Sequence, residues 1–369
     1  MSWFLAFAGF AALIVLHEFG HFAAAKAVGM RVERFALFFP PIIAKFRRGE
    51  TEYGLGAVPL GGYVRITGMN PNEEIAPEVA HRAYYRQPVW KRIFVIAAGP
   101  AMNFLIAFLI AWGLFASQGI VRNALRVADV DPAGAAQTTL QRGDYIVSID
   151  GRPGYAPGLS DAEVVRRQNA LRRVVGSHRC AGELTSGCRA TTAARVVVER
   201  DGVRRTVEIR PRYSAQQRQM LLGIGYGETQ DVGAGRAASL SVETMWTVTK
   251  LTVSAIGRLF YDEQARREVS GVVGSYEATR QSFEFDTTRA LRVLAIISLS
   301  LAVVNLFPFL PLDGGHIFWA LAEKVRGRPI PFSVMERASV VGFVLVAVLF
   351  VIGLSNDIGR LQGDGFGVR

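Results

Sequence analysis

Apolar residues in this chain gather in four long runs separated by polar stretches. The runs are Trp3–Val28, Ile93–Ser117, Val293–Leu312 and Ala338–Leu354. A helix needs about 20 apolar residues to cross a bilayer. The pattern therefore predicts four transmembrane helices, the last of them short and borrowing flanking residues. Leu240–Phe260 follows a different pattern. Val242, Met245, Trp246, Val253, Ile256 and Phe260 share one helical face, while Glu243, Lys250 and Arg258 supply polarity. This stretch is too polar to span, so it reads as an interfacial amphipathic helix; a helix packed on a neighbouring domain is the alternative. In Glu52–Ile66 apolar side chains interleave with glycines, and Pro59 and Gly61-Gly62 mark a break. That predicts short strands, either close to the membrane or in an ordinary surface hairpin.

The long region Gln118–Arg292 begins with strand and turn signals. Val127–Asp150 reads as a strand, a helix start at Pro132-Ala-Gly-Ala-Ala, a turn at Gly143-Asp144 and a second strand with partial alternation. Asp150-Gly151 is a hairpin-type turn. Two further strands, Arg195–Arg200 and Val203–Arg210, are joined by Asp201-Gly202. The expected division is 1–117, an N-terminal membrane part; 118–215, a folded domain with an insertion; 216–290, a linker with the interfacial helix; and 291–369, a C-terminal membrane part.

At 369 residues the chain is long enough for two or three domain-sized units. Its net charge of +11 raises the question of nucleic acid. The basic residues instead lie beside apolar runs, which fits membrane topology, and no zinc-finger spacing or P-loop is present. The loop after the first run carries Arg31, Arg34, Lys45, Arg47 and Arg48, and the loop before the fourth carries Lys324, Arg326 and Arg328. Both loops are expected in the cytoplasm. The two termini and Gln118–Arg292 are then outside, and four crossings make this consistent. No positive charge precedes the first run, and His and Glu interrupt it, so it reads as a retained membrane helix rather than a signal peptide. Cys180 and Cys188 fall in the outer region, which favours a disulfide over two free thiols.

Chemistry enters with His17-Glu18-Phe19-Gly20-His21 in the first run. His17 and His21 are one helical turn apart and share a face. Two imidazoles at that spacing can grip one zinc ion, with Glu18 placed as general base for the hydrolytic water. Charged groups in a membrane helix cost on the order of 2.5–3.5 kcal/mol, so they persist mainly where they act. The third run ends in Asn305-Leu-Phe-Pro308-Phe-Leu-Pro311-Leu312-Asp313-Gly314-Gly315. The prolines must kink or end the helix. Asp313 then lies at the cytoplasmic end, at the depth of the His pair, and a carboxylate suits zinc as a third ligand; alone it would read as a helix cap. Asn103 interrupts the second run, either as an interhelical hydrogen bond or as part of the active cavity. His81, His178 and His316 fall outside these spacings and read as structural or surface residues.

These motifs together resemble the site-2 proteases, the zinc intramembrane metalloproteases. The resemblance rests on His-Glu-x-x-His in the first helix, the Gly-Gly-Tyr-Val loop, Gly-Pro-x-x-Asn in the second helix and Asn-x-x-Pro-x(3)-Leu-Asp-Gly-Gly in the third. It covers nearly the whole chain in order, and the chain looks like the bacterial regulator-of-sigma-E protease type. The outer strands resemble a protease-type PDZ domain, with Tyr155–Thr192 holding its helix and an insertion. The best-known member has two PDZ domains where one is expected here, and the second proline of the third-helix motif is displaced by one. The implied fold is a polytopic α-helical membrane protein of four transmembrane helices, with a membrane-associated β-hairpin region and an extracytoplasmic α+β PDZ domain.

The resemblance implies one Zn²⁺ per chain on His17, His21 and Asp313, with Glu18 as catalytic base. Asn305, Asn103, Gly61, Gly62 and Tyr63 would hold the substrate as an unwound segment. It further implies regulated intramembrane proteolysis in a bacterial inner membrane. The partners would be the lipid bilayer, a single-pass substrate of the anti-sigma type trimmed first by a site-1 protease, and remnant signal peptides; no nucleic acid is involved. The competing reading is a membrane zinc transporter or a scaffold without proteolysis. Transporters often show repeated halves, and no internal repeat is visible.

Overall fold

The computed structural model describes residues 1–362 except 71, 72, 132, 183 and 216. In chain order the elements are α1 (Ser2–Ala27), β1 (Val32–Arg48), β2 (Thr51–Ile66), α2 (Val89–Gln118), β3 (Ile120–Val130), β4 (Tyr145–Ile149) and β5 (Arg152–Pro153). Then come α3 (Asp161–Gly176), β6 (Ala194–Arg200), β7 (Val203–Ile209), β8 (Arg212–Ser214), β9 (Gln219–Leu221) and β10 (Ile224–Gln230). The chain closes with α4 (Ala234–Arg258), α5 (Glu263–Glu268), α6 (Val272–Phe285), α7 (Thr287–Asn305), α8 (Asp313–Arg326) and α9 (Phe332–Gln362). Two compact units result: Met1–Leu114 with Gly235–Arg369, and Phe115–Ala234.

In the first unit, four helices among the described residues are long and apolar enough to cross a membrane: Ser2–Ala27, Val89–Gln118, Thr287–Asn305 and Ser333–Arg360. The third apolar run does not continue to Leu312 as a helix. α7 stops at Asn305, and turns carry the chain past Pro308 and Pro311 to Asp313, where α8 begins. Proline lacks the N–H for a helical hydrogen bond and clashes with the preceding turn. Helix contacts are made through small residues, which let backbones approach. A Cβ on Gly20 would collide with the backbone of Ala98 and Gly99 in α2, and one on Gly9 would meet Leu294 of α7 at 3.0 Å. The buried face of α1 runs Leu13, His17, Gly20, His21 and Ala24, a single stripe at helical spacing.

β1 and β2 form an antiparallel hairpin folded back on itself. Phe35 pairs with Tyr53 on one side and Val64 on the other, and Tyr53 also pairs with Phe46. Across the sheet the order is therefore 42–48, 51–56, 32–37, 62–66. No other described strand pairs with the edge segment 62–66. α4 covers the predicted amphipathic stretch, and its Met245 and Val248 pack against Ala107 of α2 and Leu299 and Val303 of α7. Its Val242, Trp246 and Val253 stay exposed.

The second unit is an antiparallel sheet in the order β10-β3-β4-β6-β7, with β5 on β4. Its core holds Leu125, Val127, Ile146, Ile149, Val196 and Val198, closed by Leu171 and Val175 of α3. Alternation in β6 buries Ala194, Val196 and Val198. Ser160 and Glu163 form a capping box at the start of α3. Cys180 and Cys188 are joined by a disulfide. The stretch Ala133–Thr139 forms turns, not the expected helix start, with Asp131 Oδ1 accepting the Ala133 N–H at 2.8 Å; Pro132 lies outside the described residues.

Candidate metal centre

The helical period of α1 and the proline-ended α7 bring three side chains to one point. His17 Nε2 lies 3.3 Å from His21 Nε2. Asp313 Oδ2 lies 3.3 Å from the first and 3.4 Å from the second. Both histidines are 7% exposed. Among the described residues this is the group of His, Cys and acidic side chains that could hold a metal ion.

The triangle has the dimensions of a metal face. Zinc bonds of about 2.0–2.1 Å in a tetrahedron put neighbouring donors roughly 3.3 Å apart. Asp313 Oδ2 is buried and has no hydrogen-bond partner among the described residues, although two ring nitrogens face it. Electron-rich atoms collected this closely call for a cation among them. A second layer orients them. His21 Nδ1 lies 2.9 Å from the Val95 carbonyl oxygen. A carbonyl can only accept, so Nδ1 carries the proton and Nε2 presents its lone pair to the triangle. Gly99 makes room for that ring, since a Cβ there would overlap it. Gly314 and Gly315 pack against the backbone of Leu306–Leu310, which seats the first turn of α8 and hence Asp313.

Glu18 follows His17 on α1 and is half-buried. Gly62 of the sheet edge passes over it; a Cβ on Gly62 would stand 2.9 Å from Glu18 Cγ. Gly61 and Tyr63 flank that point, with Tyr63 stacked on Phe39 and accepting a hydrogen bond from Arg34 at 3.1 Å. Asn305 is the last residue of α7 and is half-buried. Asn103 does not face an open cavity. It is 0% exposed, and its Nδ2 lies 3.2 Å from His17 Nδ1. His178 sits in the second unit, between Asp150 and Thr192.

The sequence motifs did not include Val95 or Ser298, whose hydroxyl donates to the Asn103 backbone carbonyl at 3.0 Å. Gly99-Pro100 inside an apolar run was a visible sign of close helix approach. A backbone carbonyl as a partner leaves no sequence signal.

Comparison with known proteins shows the family. The model of peptidase family M50 matches residues 5–349. A protein of Rhizobium meliloti carrying the name zinc metalloprotease is 30% identical, over 95% of this chain and 94% of its own length. One from Synechocystis with the same kind of name is 30% identical, over 94% and 92%. Protease RseP of Yersinia pestis is 26% identical, over 95% and 96%. The chain belongs to peptidase family M50, the site-2 proteases, and is a zinc-dependent metalloprotease of the membrane.

Proposed function

We propose that this protease cuts single-pass membrane proteins within the bilayer near its cytoplasmic side, with His17, His21 and Asp313 holding zinc and Glu18 as general base. The observation that carries the reading is the buried triangle of donor atoms, two on the membrane-length helix α1 and one at the start of the short helix α8. Zinc in that position would supply Lewis-acid chemistry, acidifying a water and polarising a peptide carbonyl. The chain's own groups do the rest. Glu18 takes a proton from the attacking water and returns it to the departing amine. The imidazole of His21 is held by the Val95 carbonyl, so its ligand atom does not turn away. α1 and α2 shield the site on one side, since their contact leaves no gap at Gly20 and Gly99.

A helical substrate hides its carbonyls in its own hydrogen bonds, so it must be presented extended. The unpaired edge 62–66 beside Glu18 supports addition of a substrate strand there. Gly61, Gly62 and Tyr63 would guide it, with Asn305 at the end of α7 as a further contact. The sheet order of the Phe115–Ala234 unit, closed by one long helix, supports a PDZ-type domain, which would lie outside the cytoplasm with both termini. It would screen substrates by size or by a new C-terminus. Substrates of this kind are anti-sigma factors already trimmed by another protease, and remnant signal peptides, in a bacterial inner membrane. A general-base Glu beside the His pair favours hydrolysis over zinc transport.

Glu18→Gln is expected to retain one zinc per chain by metal analysis while cleavage falls by about 10²–10⁴-fold. A chelator should abolish wild-type cleavage and added zinc restore it. Undiminished cleavage by the Gln variant would sink the mechanism.

A further inference from the structure

The two histidines of the triangle are held differently. His21 has a fixed acceptor, the Val95 carbonyl, behind its Nδ1. Behind Nδ1 of His17 stands, among the described residues, the side-chain amide of Asn103. That amide is wholly buried, and its Oδ1 has no hydrogen-bond partner. The Asn103 backbone is anchored independently, because its carbonyl accepts from Ser298 Oγ of α7. The α2–α7 bond therefore uses only the backbone of this residue, and its side chain makes its interhelical contact with the ring of His17 on α1.

A neutral imidazole carries one proton, on either Nδ1 or Nε2. With Nδ2 of the amide facing Nδ1, the ring nitrogen must accept, and the proton sits on Nε2 pointing at Asp313 Oδ2. That form cannot bind a metal through Nε2. A half-turn of the amide brings Oδ1 to the same place. Nδ1–H then donates to it, and Nε2 presents a lone pair to the triangle. An amide is indifferent in shape to this half-turn. A carbonyl such as that of Val95 allows only the second form.

We infer that Asn103 is the positioning residue for His17, its amide oxygen accepting Nδ1–H and fixing the tautomer that binds zinc. This rests on the proposed His17–His21–Asp313 zinc site. It assigns Asn103 to the metal's outer layer, not to contact with substrate. The requirement is for an acceptor of that size at that place. Aspartate meets it, and neither leucine nor alanine does.

The test is the zinc dissociation constant of the purified full chain in detergent, measured by chelator competition. Asn103→Ala and Asn103→Leu are compared with Asn103→Asp, His17→Ala and wild type. Loss of an outer-layer partner typically weakens metal binding about 10–100-fold. The inference predicts a loss of that order for Ala and Leu, with Asp returned to the wild-type range. Leu preserves the packing volume, so it also serves if the smaller side chain fails to fold. Wild-type affinity in the Leu variant would overturn the inference, as would an Asp variant as weak as Leu. Wild type that binds no zinc, or binds it unchanged by His17→Ala, would overturn the metal reading and this inference with it.

Discussion

Gly99 shows how narrowly single residues are constrained around the triangle. Its missing side chain is the space that the His21 ring fills. Gly99→Ala should push the ring off the Val95 carbonyl, reduce zinc occupancy on metal analysis and lower cleavage in proportion. Full occupancy and full activity in that variant would contradict the packing described. The meeting of His17, His21 and Asp313 was legible in the sequence, because His17 and His21 obey the helical period and Asp313 follows a proline-ended helix. The support behind them was not. Whether Asn103 faces a cavity or a histidine depends on how α2 crosses α1, and one sequence does not state crossing angles.

At the scale of elements, polar partners buried between helices define where the short helices lie. Arg92 near the start of α2 makes a two-fold hydrogen-bonded pair with Glu323 of α8, at 2.6 and 3.0 Å. The arginine side chain is 10% exposed and the glutamate 24%. Removing one partner of a buried pair leaves the other charge uncompensated. Glu323→Ala should cost about 3 kcal/mol, the lower end of the usual range given the partial exposure. The double change Arg92→Met, Glu323→Leu should recover most of it. Thermal unfolding in detergent checks both. α5 and α6 went unread in the sequence, where they looked like linker. They are fixed by distant residues: Asp357 of α9 accepts from Gly271 and Gly274 at the start of α6, and Asn356 donates to the Arg266 and Val269 carbonyls. The hairpin was read as short strands. Its folding back on itself was not, since register depends on pairings as distant in sequence as Val32 with Ile66.

The hairpin also carries a pH-dependent tie. Glu50 in its turn accepts from Arg82 and from Lys26 at the end of α1. The Arg82 guanidinium, with Lys26 beside it, holds this carboxyl down to about 2 from its usual 4.5. A lowered folded-state value means the stabilisation is complete above the ordinary value and is lost as pH falls from about 4.5 towards 2. Melting temperature should therefore drop over that window in the wild type and less so in Glu50→Gln. Equal slopes would contradict the tie.

For the whole molecule, the apolar runs carried most of the architecture of the first unit, whose four long apolar helices lie where the runs fall. α4 and the sheet of the Phe115–Ala234 unit needed tertiary context, because amphipathic periodicity does not say what the apolar face meets. The proposed orientation places the Cys180–Cys188 disulfide outside the cytoplasm. In intact spheroplasts a membrane-impermeant maleimide should label these thiols only after reduction. Labelling that waits for lysis would reverse the topology.

The central claim is that the buried triangle and Glu18 cut a peptide bond inside the membrane. The most direct measurement is mass-spectrometric mapping of products from a truncated single-pass anti-sigma substrate in detergent, with wild type and Glu18→Gln side by side. The account predicts cleavage by wild type alone, at a bond within the apolar segment. Equal cleavage by both proteins, or a cut confined to the segments outside the membrane, would contradict it.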